Sequence, residues 1–91
     1  MSTVVVERSH TLGREAARVK AQRIAERLAE QYDVRYEWQG DRLHVHRTGA
    51  RGSIAVEENR VRVELKLGLL LSGLRGTIER EIEQALDKRL S

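Results

Sequence analysis

The chain has 91 residues, a formal net charge of +3 and no cysteine. This length predicts one domain over residues 1–91 with a single thin core, and the lack of cysteine excludes disulfides and thiolate chemistry. With one tryptophan, two tyrosines and no phenylalanine, the core has to be largely aliphatic. No apolar run reaches the roughly 18–20 residues of a membrane span, and the first residues lack the features of a signal peptide. We therefore expect a cytoplasmic protein.

The first third of the chain predicts a strand followed by a long helix. Thr3 to Arg8 is rich in β-branched residues, which favour a strand. The helix starts near Thr11 or Gly13, either of which is a candidate N-cap. Apolar side chains then recur at helical spacing and form one stripe that can pack on a sheet: Ala17, Ala21, Ile24, Leu28 and Tyr32.

Four segments of alternating apolar and polar residues between positions 34 and 67 predict four strands joined by tight turns. The predicted two-residue loops are Gly40-Asp41, Gly49-Ala50 and Glu58-Asn59. Side chains alternate with period two along a strand, so these loops place every large apolar residue on one face. One predicted row across that face is Trp38, Leu43, Val56 and Val61. The adjacent predicted row is Tyr36, Val45, Ile54 and Val63.

The last third predicts a turn and a second amphipathic helix. Gly73 and Gly76 favour a short turn or loose helix at 69–75, with a firm helix from about Thr77. A helix that carries the chain back across the sheet places strand one antiparallel beside strand five, in the order 2-3-4-5-1. The predicted class is therefore α+β: a two-layer sandwich with a five-stranded, mainly antiparallel sheet, two helices on one face, and topology β-α-β-β-β-β-α.

The opposite face of the predicted sheet carries the clearest candidate for chemistry. His44 and His46 point the same way, about 6.5–7 Å apart, with Glu37 beside His44. Two imidazoles and a carboxylate form part of a zinc ligand set, but a fourth ligand is not evident. The predicted rows are Glu37, His44, Ala55, Arg62 and Arg35, His46, Ser53, Glu64. We expect a solvated strand face that binds no metal and no cofactor.

Catalysis and nucleic-acid binding have weaker support. Ser9 beside His10 lacks a third orienting group, and the glycines do not form a phosphate-binding loop, so we expect no enzyme activity and a cap or turn role for His10. Basic residues along helix one could contact phosphates, but glutamates are interspersed and no aromatic lies between them. A solvated helix face is the favoured interpretation of this set: Arg14, Arg18, Lys20, Arg23 and Arg27.

Six leucines lie within the ten residues from Leu65 to Leu74, with glycines between them. A thin core cannot hide all of them, so the surplus predicts an interaction patch for an apolar surface or for a second copy in a homodimer. The alternative is that these leucines cover the open end of the sandwich. The candidate patch consists of Leu67, Leu69, Leu70, Leu71 and Leu74.

Several motifs resemble those of the polyhydroxyalkanoic acid system family, small bacterial proteins encoded among genes for polyhydroxyalkanoate (PHA) storage granules. The matching segments span nearly the whole chain: residues 7–13 (ERSHTLG), 16–18 (AAR), 36–41 (YEWQGD), 66–71 (KLGLLL) and 78–82 (IEREI). The resemblance implies an accessory role near granules, and it carries over no site residues. Our leading hypothesis is therefore a non-enzymatic accessory protein that binds a granule surface or a granule protein.

Two other functions stay open at the level of sequence. The first is a small apolar-ligand or acyl-chain binding module with a pocket lined by Leu28, Tyr36 and Trp38. The second, less favoured, is a nucleic-acid-binding protein, for which steep salt dependence would be the signature.

Overall fold

The computed structural model describes residues 2–90, which form five strands, two α-helices and one 3-10 turn. The elements follow the predicted order and are β1 (Ser2–Ser9), α1 (Arg14–Tyr32), β2 (Arg35–Gln39), β3 (Arg42–Arg47), β4 (Ala50–Val56), β5 (Arg60–Leu67), the 3-10 turn (Ser72–Leu74) and α2 (Arg75–Leu90).

The five strands form one antiparallel sheet in the order β1-β5-β4-β3-β2. This confirms the predicted order 2-3-4-5-1 and the α+β sandwich class. Both helices pack on the same face, because the buried side chains of α1 and α2 join those of the strands in one aliphatic core. The helices run antiparallel to each other, since α1 ends at the end of the sheet where α2 begins.

Local backbone conformations explain where α1 begins and ends. Gly13 is the N-cap with φ of +83°, a value that glycine adopts readily, and its carbonyl accepts the amide of Ala17 at 3.1 Å. Asp33 ends the helix in the left-handed region, and its amide bonds to the carbonyl of Ala29 at 3.1 Å. The Gly13 start is therefore the correct one of the two predicted.

Two of the three predicted hairpin registers are confirmed. Trp38 pairs with Leu43 across the first hairpin, and Val56 pairs with Val61 across the third. The middle register is wrong: Arg47 pairs with Ala50, so the loop is Thr48-Gly49 rather than Gly49-Ala50. The loop moves by one residue, so each residue of β3 pairs with a β4 residue two positions earlier than predicted. Every side chain therefore stays on its predicted face, and alternation alone cannot distinguish the two registers.

The shifted register changes which residues share a row. The row that begins at Trp38 continues through Leu43, Ile54, Val63 and Val6. The predicted row, which continued from Leu43 to Val56 and Val61, is therefore wrong. The next row continues from Tyr36 through Val45, Gly52, Leu65 and Val4. A glycine thus occupies the middle of an otherwise apolar row.

Each helix is attached near a different edge of the sheet. On the β2 side, the Trp38 indole N–H donates to Oε1 of Gln22 at 2.7 Å, and the guanidinium of Arg18 lies 4.1 Å from the centre of the indole ring. On the β1 side, the Arg8 guanidinium binds Glu83 at 3.1 Å and Asp87 at 2.8 Å. Hydrogen bonds to Asp87 and then Glu83 raise the pKa of Arg8.

Replacing Gly52 by alanine should destabilise the fold. The added Cβ would lie 2.7 Å from Cδ2 and 2.9 Å from Cα of Leu65, and would also meet the carbonyl of Glu64. Because backbone cannot move aside cheaply, we expect a loss of roughly 1–3 kcal/mol in the free energy of unfolding. Urea unfolding followed by circular dichroism measures it. Gly73→Ala is the matched control, because its Cβ would meet nothing within 4 Å. Equal stability of the two variants would contradict the packing at Gly52.

Candidate functional site

The segment 68–74, here called the leucine turn, has a backbone that several hydrogen bonds hold in place. The carbonyl of Gly68 accepts the amides of Leu71 and Ser72, each at 3.1 Å, and the Ser72 hydroxyl at 3.0 Å. The Gly68 amide donates to the carbonyl of Gly49 at 2.7 Å. These bonds attach the turn to the β3–β4 hairpin and hold it in a defined shape.

The predicted leucine patch divides into exposed and buried members. Leu69 and Leu70 are 84% and 91% exposed, and Leu74 is 50% exposed. Leu67 is only 2% exposed and belongs to the core, which corrects its assignment to the surface patch. Leu71 is half-buried and packs against the core. Leu67 and Leu71 therefore close the end of the sandwich, while Leu69, Leu70 and Leu74 face outward.

The exposed sheet face carries His44 and His46 as predicted, but in different rows. His46 lies in a basic row with Arg35, Arg51 and Lys66, rather than beside Ser53. His44 lies in a row with Glu37, Ser53 and Glu64. Cationic neighbours disfavour a divalent ion at His46. Within residues 2–90, no group of three or more His, Asp or Glu side chains is placed to hold a metal.

Other charges on this face are paired with one another. The guanidinium of Arg62 binds Glu7 at 2.7 Å and Glu64 at 3.3 Å. These hydrogen bonds, with that to Glu7 the largest contribution, raise the pKa of Arg62. The arrangement is a solvated cross-strand ion-pair network, and such exposed pairs stabilise only weakly.

Two of the arginines considered as candidate phosphate contacts serve the fold. Arg14 and Arg18 both bind the carboxylate of Asp41, at 3.5 and 3.1 Å. Arg18 also lies over Trp38. These contacts tie the beginning of α1 to the β2–β3 hairpin, so the basic helix face is partly structural.

His10 has the turn role that was predicted. Its Nδ1 accepts the amide of Leu12 at 3.2 Å, and its own amide donates to the carbonyl of Asn59 at 2.9 Å. His10 as a whole is only 6% exposed. Its Nε2 is buried without a hydrogen-bond partner among the described residues, whereas the neighbouring Ser9 is exposed.

A cleft of about 450 Å³ lies between α1 and α2, and it is here called the interhelical cleft. Its floor comes from the sheet and its walls from the two helices. The apolar lining is Ile24, Leu28, Val34, Val45, Ala50, Leu65, Ile78, Ile82 and Ala85. A volume of this size lies within the range of small-molecule sites.

Small residues account for this cleft. Ala50 at the start of β4 and Ala85 on α2 line it, and Gly52 lies in the adjacent row of the sheet. Leu65 fills the space above Gly52, where a Cβ would meet its side chain. Large side chains at Ala50 and Ala85 would extend into the gap, so these two positions keep the cleft open.

The rim of the interhelical cleft is mainly cationic. It includes Arg27, Arg47, Arg51, Lys88 and Arg89, with Glu81 as an acidic member. Arg47 is held at the mouth because its Nη1 donates to the carbonyl of Tyr32 at 3.0 Å. A cleft with apolar walls and a positive rim favours ligands with an apolar body and a negative end.

One hydrogen bond joins the two helices at one end of the cleft. The Tyr32 hydroxyl, at the end of α1, donates to Oε2 of Glu81 on α2 at 2.8 Å. This hydrogen bond, followed by desolvation, raises the pKa of Tyr32, because deprotonation would place a phenolate beside a carboxylate. The nearby charge of Arg27 acts in the opposite direction.

The predicted acyl-chain pocket is placed differently from the observed cleft. Leu28 lines the cleft, but Tyr36 and Trp38 do not. Trp38 donates to Gln22, and the Gln22 amide lies 3.4 Å from the Tyr36 hydroxyl, so both aromatics pack at the side of α1. The sequence signal for the observed site was the small residue Ala50, which belongs to a strand rather than to the hairpin loop only in the correct register.

The fold and these surfaces define a small α+β sandwich with an exposed leucine turn and an interhelical cleft. The chain belongs to the family described as putative polyhydroxyalkanoic acid system proteins (PHA_gran_rgn), whose model matches residues 4–90. Neither the curated proteins nor the solved structures contain a match to the chain. The helices formed by residues 2–90 are too short or too polar to cross a membrane.

Removing the Glu81 carboxylate should lower the pKa of Tyr32 toward its ordinary value. In Glu81→Ala, the hydrogen bond that favours the protonated hydroxyl is gone. A raised pKa in the folded state means that the Tyr32 contribution to stability is present below about pH 10 and is lost as pH rises through the folded value. An NMR titration of the Tyr32 ring carbons measures the shift. Glu79→Ala, on the same helix outside the cleft, is the control, and an unchanged Tyr32 pKa in Glu81→Ala would contradict the contact.

His44 and His46 should bind no structural zinc. The reason is the basic row around His46 and the lack of a third suitable ligand within residues 2–90. Metal analysis of protein purified without a histidine tag is the test. Stoichiometric zinc that disappears in the His44→Ala/His46→Ala double variant would overturn this expectation.

Proposed function

We propose that this chain is a non-enzymatic accessory protein of the PHA storage system that binds the granule surface through Leu69, Leu70 and Leu74. Membership of the polyhydroxyalkanoic acid system family supports the setting. The observation that carries the proposal is the placement of adjacent leucines, 84% and 91% exposed, at the apex of the leucine turn. Exposing such side chains to water is unfavourable unless another surface covers them.

The shape of the leucine turn suits an apolar surface. Its backbone is held by the hydrogen bonds to Gly68 and Gly49, so little conformational freedom is lost on docking. The turn projects at one end of the sandwich, beyond the end of β5, so a flat surface can approach it. Burial would then stabilise the complex by roughly 25 cal/mol per Å² of apolar area, before the costs of association.

Binding is proposed to involve the apolar surface of the granule, rather than a second copy of the chain. Leu69, Leu70 and Leu74 form a small patch, whereas stable protein–protein interfaces bury on the order of 1,200–2,000 Å² in total. An extended apolar surface can hold many copies through small contacts. A homodimer through the same leucines is the competing outcome of the experiment.

Replacing both apex leucines by serine should release the protein from granules. We expect the apparent affinity of Leu69→Ser/Leu70→Ser for protein-stripped PHA granules to fall by roughly tenfold or more, because two exposed anchors are lost. Co-sedimentation of purified protein with the granules measures it. The matched control is Leu12→Ser/Val19→Ser, which removes two exposed apolar residues near the start of α1, at the far end of the molecule.

Thermal melts and sedimentation of the same variants complete the experiment. We expect cooperative unfolding with little change in stability, because Leu69 and Leu70 make few contacts in the fold. Equal granule retention of both double variants would refute the proposal. A wild-type dimer that only the Leu69→Ser/Leu70→Ser variant disrupts, with no granule retention, would assign the leucines to self-association instead.

A further inference from the structure

We propose that the interhelical cleft is a binding site for a medium-chain alkyl carboxylate. The alkyl chain would lie on the apolar lining between the helices, and the carboxylate would meet the basic rim formed by Arg27 and Arg89. This site is separate from the leucine turn and would operate whether or not the protein binds granules.

The lining is suited to an alkyl chain. Leu28 and Ile24 on α1 face Ile78 and Ile82 on α2, with Val45 and Leu65 beneath them on the sheet. Several of these side chains are only partly buried by the protein itself: Leu28, Val34, Leu65 and Ile78. An apolar occupant would complete their burial, which is the main source of affinity in sites of this kind.

The dimensions of the cleft favour a single flexible chain. Its volume of about 450 Å³ is drawn out along the two helices, from Tyr32 and Glu81 to Ile24 and Arg89. Ala85 lies one helical turn along α2 from Glu81, opposite the stretch of α1 that contains Leu28. The alanine leaves room at mid-length for a chain to pass between the helices.

The distribution of charge points to an anionic end group. Arg27 on α1 and Arg89 on α2 line the cleft from opposite sides, one or more turns from the Tyr32–Glu81 contact. Glu81 is the acidic member of the lining, and it already accepts the Tyr32 hydroxyl. A carboxylate bound between Arg27 and Arg89 would therefore meet complementary charge, and arginine binds carboxylates with well-defined geometry.

Decanoate binding to the purified full-length protein tests the site. We expect saturable binding, followed by calorimetry and by the NMR methyl signals of Leu28, Ile78 and Ile82. Decanol, with the same chain and no charge, should bind more weakly, as should butyrate, with the same charge and a short chain. Absence of decanoate binding in the millimolar range would overturn the proposal, and so would equal binding of decanol or butyrate.

Two pairs of variants locate the ligand. Ala85→Phe should fill the cleft and weaken decanoate binding by roughly tenfold or more, while Ala16→Phe on the exposed side of α1 should have little effect. Arg27→Glu should weaken decanoate binding by roughly tenfold and decanol binding much less, because it reverses one charge at the rim. Arg23→Glu, one turn earlier on the same helix and outside the cleft, is its control.

The two pairs remain informative if one variant folds poorly. Arg27 is exposed, so its substitution leaves the core intact even if Ala85→Phe is unstable. Decanoate affinity that is unchanged in both Ala85→Phe and Arg27→Glu would place binding elsewhere and overturn the assignment. Because these measurements use no granules, their failure would leave the proposed role of the leucine turn standing, and the converse also holds.

Discussion

The structure depends on burying one face of a five-stranded antiparallel sheet beneath two helices. Each strand alternates, so the apolar rows from β2 to β1 face the helices and the charged rows face water. Ala17, Ala21 and Ala25 let α1 lie close to the sheet, while Ile82 and Leu86 anchor α2. Burial of these aliphatic side chains supplies most of the stabilisation available to a chain without disulfides.

Attachment near opposite edges of the sheet explains why the two helices, which lie on the same face, leave space between them. Gln22 and Arg18 hold α1 against Trp38 near the β2 edge, while Glu83 and Asp87 hold α2 against Arg8 on β1. The helices are joined by the Tyr32–Glu81 hydrogen bond at one end. With small residues at Ala50 and Ala85, the side chains available do not close the remaining gap. The interhelical cleft follows from this placement.

The leucine turn and the interhelical cleft lie toward the same end of the sandwich but differ in physical character. The leucine turn is convex and apolar, and its backbone is attached to Gly49. The interhelical cleft is concave and combines an apolar lining with a basic rim that includes Arg47, at the end of the strand before Gly49. A convex apolar turn binds a surface by area, whereas a cleft selects by shape and charge. The two proposed binding sites therefore share no residues.

Much of this fold followed from the sequence, because alternation and helical periodicity are local properties of the chain. The faces of the sheet were predictable in this way, and the path of the helix that carries the chain back across the sheet predicted the strand order. The turn role of His10 and the solvated position of His44 and His46 were also predictable. The family resemblance was also carried by local motifs, and it is confirmed over residues 4–90.

Tertiary structure decided what depends on distant residues meeting. Alternation permits registers that differ by two residues, so only the assembled sheet places Gly52 between Val45 and Leu65 and pairs Ala50 with Arg47. Likewise, only packing shows that Leu67 belongs to the core, because Leu67 and its exposed neighbours Leu69 and Leu70 are the same residue type. The interhelical cleft arises from the separation of two helices, which no local pattern encodes. The sequence alone therefore determined which face of each element is apolar, and the tertiary contacts determined where that apolar surface stays uncovered.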